Sequence, residues 1–261
     1  MISTRSQIKS GTVYSPLLGI DWNYAVYLPV NYQLDTTTAY PVLYMLSGLY
    51  GNYRDFLGRM SSQAILDKEI QAAGPMIVIF VDGFNSFYIN ARHGMAMEDA
   101  LICDLVPAMA ERYRIQSGAS HHAIGGIGMG GYGAARFVLR YPDIFAKGLL
   151  ISPTVWERLK NTSPLRQHLH AFNDGQEPWS DRVYTSHFPT HDVHHRMTGL
   201  SFYIETSATD HTIPVHDVRD FATVLREAEI PVDYVQDETG THGWAYWQPA
   251  VARAYRWLLG Q

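Results

Sequence analysis

The stretch AIGGIGMGGYGAARF, Ala123 to Phe137, constrains the fold more than any other part of the chain. A short apolar run leads straight into a cluster of glycines and then into a helical pattern. Gly126, Ile127, Gly128, Met129 and Gly130 fill the frame G-x-S-x-G, the sharp strand-to-helix turn that lifts a nucleophilic serine clear of a sheet. Gly126, Gly130, Gly131 and Gly133 provide the small residues that such a close approach of strand and helix requires, and Ala134 and Ala135 continue the close packing. The apex of the frame is Gly128, which has no side chain. A phosphate-binding reading, G-x-G-x-x-G, can be laid over Gly126, Gly128 and Gly131. That fingerprint belongs at a first strand with an acidic residue about 20 positions on, and here the strand comes mid-chain.

The rest of the chain supplies the layers that such a turn needs. NYAVYLPV, PVLYMLSG, MIVIFVDG, HHAIGGI, KGLLIS, LSFYIETS and VDYVQDE read as strands. Several are nearly continuous apolar runs, as in strands covered on both faces. Helical patterns lie between them at Ser62 to Ala73, Met97 to Tyr113, Gly130 to Arg140, Val215 to Glu229 and Trp244 to Leu259. This alternation predicts an α/β fold with a mostly parallel central sheet and helices on both faces. The 261 residues suit one domain spanning 1–261. From 153 to 199 the chain is polar, irregular and studded with aromatics, as expected of a cap-like insertion over a site.

A serine triad on this architecture runs in the order nucleophile, acid, base. Asp210 follows a late strand in LSFYIETSATDHT, and His242 stands before the last helix in ETGTHGWAYW. A carboxylate there would fix the imidazole tautomer and stabilise its charged form. Asp217, Asp220 and Asp237 are alternative acids, but the first two fall within a helical pattern and the third ends a strand. Two backbone N–H groups should form an oxyanion hole: that of Met129, after the apex, and that of Leu49, in the loop YMLSGLYGNYRDF.

These motifs resemble the esterase D-type branch of the α/β-hydrolases, which includes S-formylglutathione hydrolases, tributyrin and feruloyl esterases and the mycolyltransferases. The resemblance runs from about Tyr40 onward. It rests on PVLYMLSGLYGNYRDF, VDGFNSFYIN, the MED before a long helix, AIGGIGMGGYGAARF, and THGWAYW. It implies an α/β-hydrolase fold and hydrolysis or transfer of small-molecule acyl esters or thioesters, with no metal or organic cofactor. Matched to its motifs, the acid falls on Asp210, the base on His242, the oxyanion donors on Leu49 and Met129, and the nucleophile on Gly128. Only at this last position does the chain depart from the pattern.

Three readings of Gly128 follow. The favoured one is an esterase-type hydrolase whose serine has been replaced by glycine, as in an engineered form, leaving it inactive or nearly so. The second is a natural relative that binds a ligand without turnover. The third uses the Asp210–His242 pair as a general base in a non-covalent lyase, isomerase or cyclase reaction. Trp244, Trp156 and Ser47 are candidate substrate contacts. Phe172, Trp179, Tyr184 and Phe188 could line a pocket or pack within the insertion.

Other features are plainer. A net charge of −5 and scattered basic residues give no pull toward nucleic acid or an anionic membrane. No apolar run approaches the length of a membrane span. The start, MISTRSQIKSG, lacks the apolar core of a signal peptide, so a cytoplasmic protein is expected. Oligomerisation with identical chains is open. The single cysteine, Cys103, lies in ALICDLVPAMA and is expected to be buried on a helix. His187, His191, His194 and His195 fit no established zinc spacing. Asn85, Ser86, Tyr88 and Asn90 should order a loop beside the site. Glu98 and Asp99 suit a helix N-terminus.

Overall fold

The computed structural model describes residues 6–91, 94–155, 172, 187–194 and 197–260, with backbone alone at 70–73. Eight strands form one sheet: β1 (Gln7–Ser15), β2 (Ile20–Leu28), β3 (Val42–Leu46), β4 (Ile77–Val81), β5 (His122–Ile127), β6 (Lys147–Ile151), β7 (Ser201–Ser207) and β8 (Val232–Asp237). Their spatial order is β1-β2-β4-β3-β5-β6-β7-β8. β1 and β2 pair antiparallel, β2 joins β4 antiparallel, and every pairing from β4 to β8 is parallel. Among the described residues the helices are α1 (Tyr53–Gly58), α2 (Ser62–Ala73), α3 (Met97–Ala100), α4 (Val106–Arg112), α5 (Met129–Arg140), α6 (Val215–Glu227) and α7 (Trp244–Leu258). Two apolar cores, one on each face of the sheet, bury alternate side chains of the central strands. Tyr44, Ile79 and Ile124 face one core, and Leu43, Met45 and Phe80 the other. This is the layered α/β architecture with a mostly parallel sheet that the alternating pattern predicts.

Three features differ from the sequence reading. β1 was not expected, because its polar, half-exposed residues lack the apolar run of an interior strand. It is an edge strand held by its register with β2, from Gln7 opposite Leu28 to Ser15 opposite Ile20. The short helix α1 also escaped notice, since its capping box, Asn52 with Asp55, sits inside a loop motif. Cys103, expected to be buried, is exposed. It lies on a π-helical segment, Leu101–Leu105, between α3 and α4, where Leu101 and Leu105 take the buried face. Pro107 has no N–H to give to the carbonyl four residues back, and the wider turn takes up that break.

Most of the 153–199 insertion, including Trp156, Trp179 and Tyr184, lies outside the described residues. The part described is anchored by buried charge. Glu98 of α3 accepts from Arg136 at 2.8 Å and from Arg140 at 2.7 Å, and Tyr141 donates to it at 2.9 Å. Asp192 lies 3.1 Å from Arg140, tying the 3₁₀ turn Pro189–Asp192 to α5. Glu98 therefore does more than favour a helix terminus. Burial pushes its carboxyl up, but Arg136, Tyr141 and Arg140 outweigh that and hold it below the ordinary carboxylate value.

Because the folded-state pKa is depressed, this stabilisation is fully present above the unfolded carboxylate value and is lost as pH falls through the folded one. Glu98→Gln should cost up to about 3–5 kcal/mol at neutral pH by removing the closest counter-charge of buried Arg136, which among the described residues keeps only Asp192 at 3.5 Å. Urea unfolding at pH 7 and pH 3 checks this, since the gap between the two proteins should shrink at the lower pH.

Candidate active site

Gly128 lies between the end of β5 and the start of α5, with φ 56° and ψ −113°. A residue with a Cβ is strained there, whereas glycine adopts it freely. The turn is as tight as its motif demands. A Cβ on Gly126 would stand 2.5 Å from the carbonyl carbon of Gly130. A Cβ on Gly130 would run into the carbonyl oxygen of Leu46 on the neighbouring strand. The apex is fixed from both sides: its N–H donates to Ile151 at 3.0 Å, and its carbonyl accepts from Tyr132 at 3.0 Å and from the Thr154 N–H at 3.2 Å.

Above this apex stands His242. A Cβ built on Gly128 would be 3.9 Å from His242 Nε2 and 4.0 Å from Cε1, the only atoms within 4 Å among the described residues apart from its chain neighbours. The other ring nitrogen, Nδ1, is 2.8 Å from Asp210 Oδ2. Asp210 Oδ1 accepts from the N–H groups of Thr212 at 2.8 Å and Ile213 at 2.9 Å. Burial alone would raise the Asp210 pKa, but the His242 hydrogen bond and charge, with those two amides, hold it below its ordinary value. A charged acceptor therefore faces Nδ1, which favours the proton there and leaves Nε2 as a base.

The two loops are bound together at Gly240, whose carbonyl accepts from Ser207 Oγ and, at 2.6 Å, from Thr209 Oγ1. Trp247 meets the imidazole edge-on, with ring centroids 4.8 Å apart and planes at 86°, and steadies its orientation.

A cavity of about 350 Å³ opens over the apex, within the ordinary range for small-molecule sites. Gly128, Met129, Leu49 and His242 all line it, as do Trp244 and Ser47. The Leu49 loop is braced by Asp82, which accepts from the Tyr53 N–H at 2.6 Å, and by Asn85, which accepts from the Tyr50 N–H at 2.6 Å. The segment after β4 orders itself as expected. Ser86 Oγ donates to Gly83 at 2.6 Å and accepts from Tyr88 N–H at 3.0 Å, while Asn90 accepts from Asp99 N–H at 3.0 Å. Phe84, Asn85, Phe87 and Tyr88 all have positive φ, so this loop holds considerable backbone strain. Ser47 Oγ accepts from the Gly83 N–H at 3.0 Å and lies 3.3 Å from the Tyr88 hydroxyl, so it braces the loop as well as edging the cavity.

Of the acids weighed from sequence, Asp210 faces His242, while Asp237 accepts from Thr239 and Asp217 lies beside His216. Trp247, Phe87 and Thr154 are among the cavity residues that the sequence did not single out. Trp247 was readable as the residue one helical turn after Trp244. Phe87 stands between Ser86 and Tyr88 in the loop expected beside the site, whereas Thr154 carries no such signal, because only the chain's return path brings it there. Phe172 packs against Phe87 with ring centroids 5.0 Å apart, in the core behind the cavity. No cluster of three or more metal-ligand side chains occurs among the described residues. None of the helices among them is long and apolar enough to cross a membrane.

The chain is similar to several known esterases. A curated acetyl esterase from Caldicellulosiruptor saccharolyticus is 25% identical over 227 residues, covering 83% of this chain and 82% of the relative. A ferulic acid esterase structure superposes with a TM-score of 0.82 at 20% identity, covering 98% of both chains. An S-formylglutathione hydrolase from Staphylococcus aureus gives 0.76 at 21% identity, covering 98% of this chain and 100% of the other. At such identities the two structures speak for the fold. The Esterase family model matches residues 15–258. The chain therefore belongs to the Esterase family, built on the α/β-hydrolase fold.

Proposed function

We propose that this cavity binds a small acyl ester or thioester, and that glycine in place of the nucleophile leaves covalent hydrolysis essentially absent. The carbonyl oxygen of the substrate lies against the N–H groups of Leu49 and Met129. Its acyl carbon lies above Gly128, within reach of His242 Nε2. Trp244, Trp247 and Phe87 contact the apolar part of the substrate. Asp210 holds the imidazole so that Nε2 can take up a proton and later release it to the leaving oxygen.

One observation carries this reading: the 3.9 Å between His242 Nε2 and a Cβ at Gly128. One further bonded atom on that Cβ falls within the ~2.6–3.2 Å that a general base needs. The parts of an acyl-transfer site other than the nucleophile thus surround a position that has no side chain.

The test is Gly128→Ser assayed on short-chain p-nitrophenyl esters. Turnover is the expected result. A variant that folds, as judged by circular dichroism, yet stays inert would reject the ester-site reading.

A further inference from the structure

The space beside Gly128 has a use that does not depend on a serine. Among the described residues other than its chain neighbours, only His242 comes within 4 Å of a Cβ there, so a notch with room for a Cβ lies beside Nε2 and opens into the cavity. Water, at about 30 Å³ per molecule in the liquid, is the smallest hydroxyl compound that could enter it. Thr154 also lines the cavity, and its hydroxyl donates to the Gly128 carbonyl oxygen at 3.4 Å, which adds a polar group to the same wall of the cavity.

We infer that this notch seats a small neutral hydroxyl nucleophile, water or a short primary alcohol, which His242 activates directly against the acyl carbon of a bound ester. This rests on the ester-site reading above and adds the second substrate and the order of bond changes. As the nucleophile's oxygen bonds to the acyl carbon, its proton passes to His242 Nε2. The tetrahedral oxyanion is held by the Leu49 and Met129 amides. The bond to the leaving oxygen then breaks, its electron pair goes with that oxygen, and Nε2 returns the proton to it. Water yields a carboxylic acid, and an alcohol yields a new ester. No acyl-enzyme forms, so both substrates must be bound together.

The experiment uses the unaltered protein with p-nitrophenyl butyrate, with and without methanol. Expected are linear nitrophenolate release above the buffer rate, no burst, and methyl butyrate among the products by gas chromatography. His242→Ala should lower the rate by about 10²-fold or more. Gly128→Ala, which fills the notch with a methyl group, should lower it to the same level, and a folded Gly128→Ser serves as the control that a Cβ at this strained position is tolerated.

A rate no greater than that of buffer would overturn the inference, as would a Gly128→Ala protein that keeps the full rate. A burst of one equivalent would overturn it too, because it would mean that His242 itself is acylated. The two readings fail differently. An inert Gly128→Ser sinks the ester site, whereas an active Gly128→Ser beside an inert unaltered protein sinks only direct activation.

Discussion

Gly128→Ser should raise hydrolysis of p-nitrophenyl butyrate over the unaltered chain by several orders of magnitude, toward the ~10⁶-fold lost when a triad enzyme is stripped of its nucleophile. The surroundings make this a gain from one substitution. Among the described residues apart from its chain neighbours, a new Cβ meets only His242 within 4 Å, at ordinary contact distance, so none of them has to move. The hydroxyl it carries comes within hydrogen-bond reach of Nε2, and Asp210 already holds the opposite nitrogen at 2.8 Å. The cost is backbone strain, since φ of 56° suits glycine and not serine. About 1–3 kcal/mol of stability should go with the gain, read as a lower midpoint in urea. Kinetics should change in kind as well, with a burst of nitrophenolate and labelling by a fluorophosphonate. Adding Asp210→Asn should remove about 10⁴ of the new rate by favouring the wrong tautomer. Equal rates with and without Asp210→Asn would show that the carboxylate does not orient the base.

The largest effect on stability should come from Gly130→Ala, which adds one methyl group two residues away from the apex. Its Cβ would overlap the Leu46 carbonyl oxygen, which belongs to the backbone of the central strand β3 and cannot rotate aside. Either α5 must lift from the sheet or β3 must shift and disturb its ladders to β4 and β5. Overpacking against flexible side chains costs about 1–3 kcal/mol, and a backbone clash should exceed that range. Loss of soluble folded protein, or a fall of more than ~3 kcal/mol in urea unfolding, is the expected outcome. Gly58→Ala is the control: nothing lies within 4 Å of its Cβ and it ends helix α1. It should be neutral or slightly stabilising. Similar behaviour of the two variants would mean that the turn is looser than described.

Much of the fold is legible because periodicity and burial have the same cause. A strand covered on both faces must be apolar throughout, so β3, β4, β5 and β6 stand out as runs. An edge strand with one wet face need not be, so β1 left little trace. Cys103 misled for a related reason. Its neighbours are apolar, but a helix buries only one face, and the π turn at Leu101–Leu105 decides which residues take it. Glu98 looked like an ordinary helix-start acid until Arg136 and Arg140, some forty positions on, were brought against it.

For the site, the chain order determined a great deal. Glycine spacing specified the turn at Gly128, and the sequence of late strands and loops pointed to Asp210 and His242. These are local or ordinal properties, carried by backbone sterics and by strand succession. What the tertiary structure alone decided are the distances. The parallel strands end on one side of the sheet, so loops from β3, β5, β6, β7 and β8 meet there although up to nearly two hundred residues separate them. That convergence puts an imidazole 3.9 Å from a Cβ the chain does not have, and it brings Thr154, Phe87 and Trp247 to the same cavity. No pattern along one chain encodes such a meeting, because it arises from packing several segments at once.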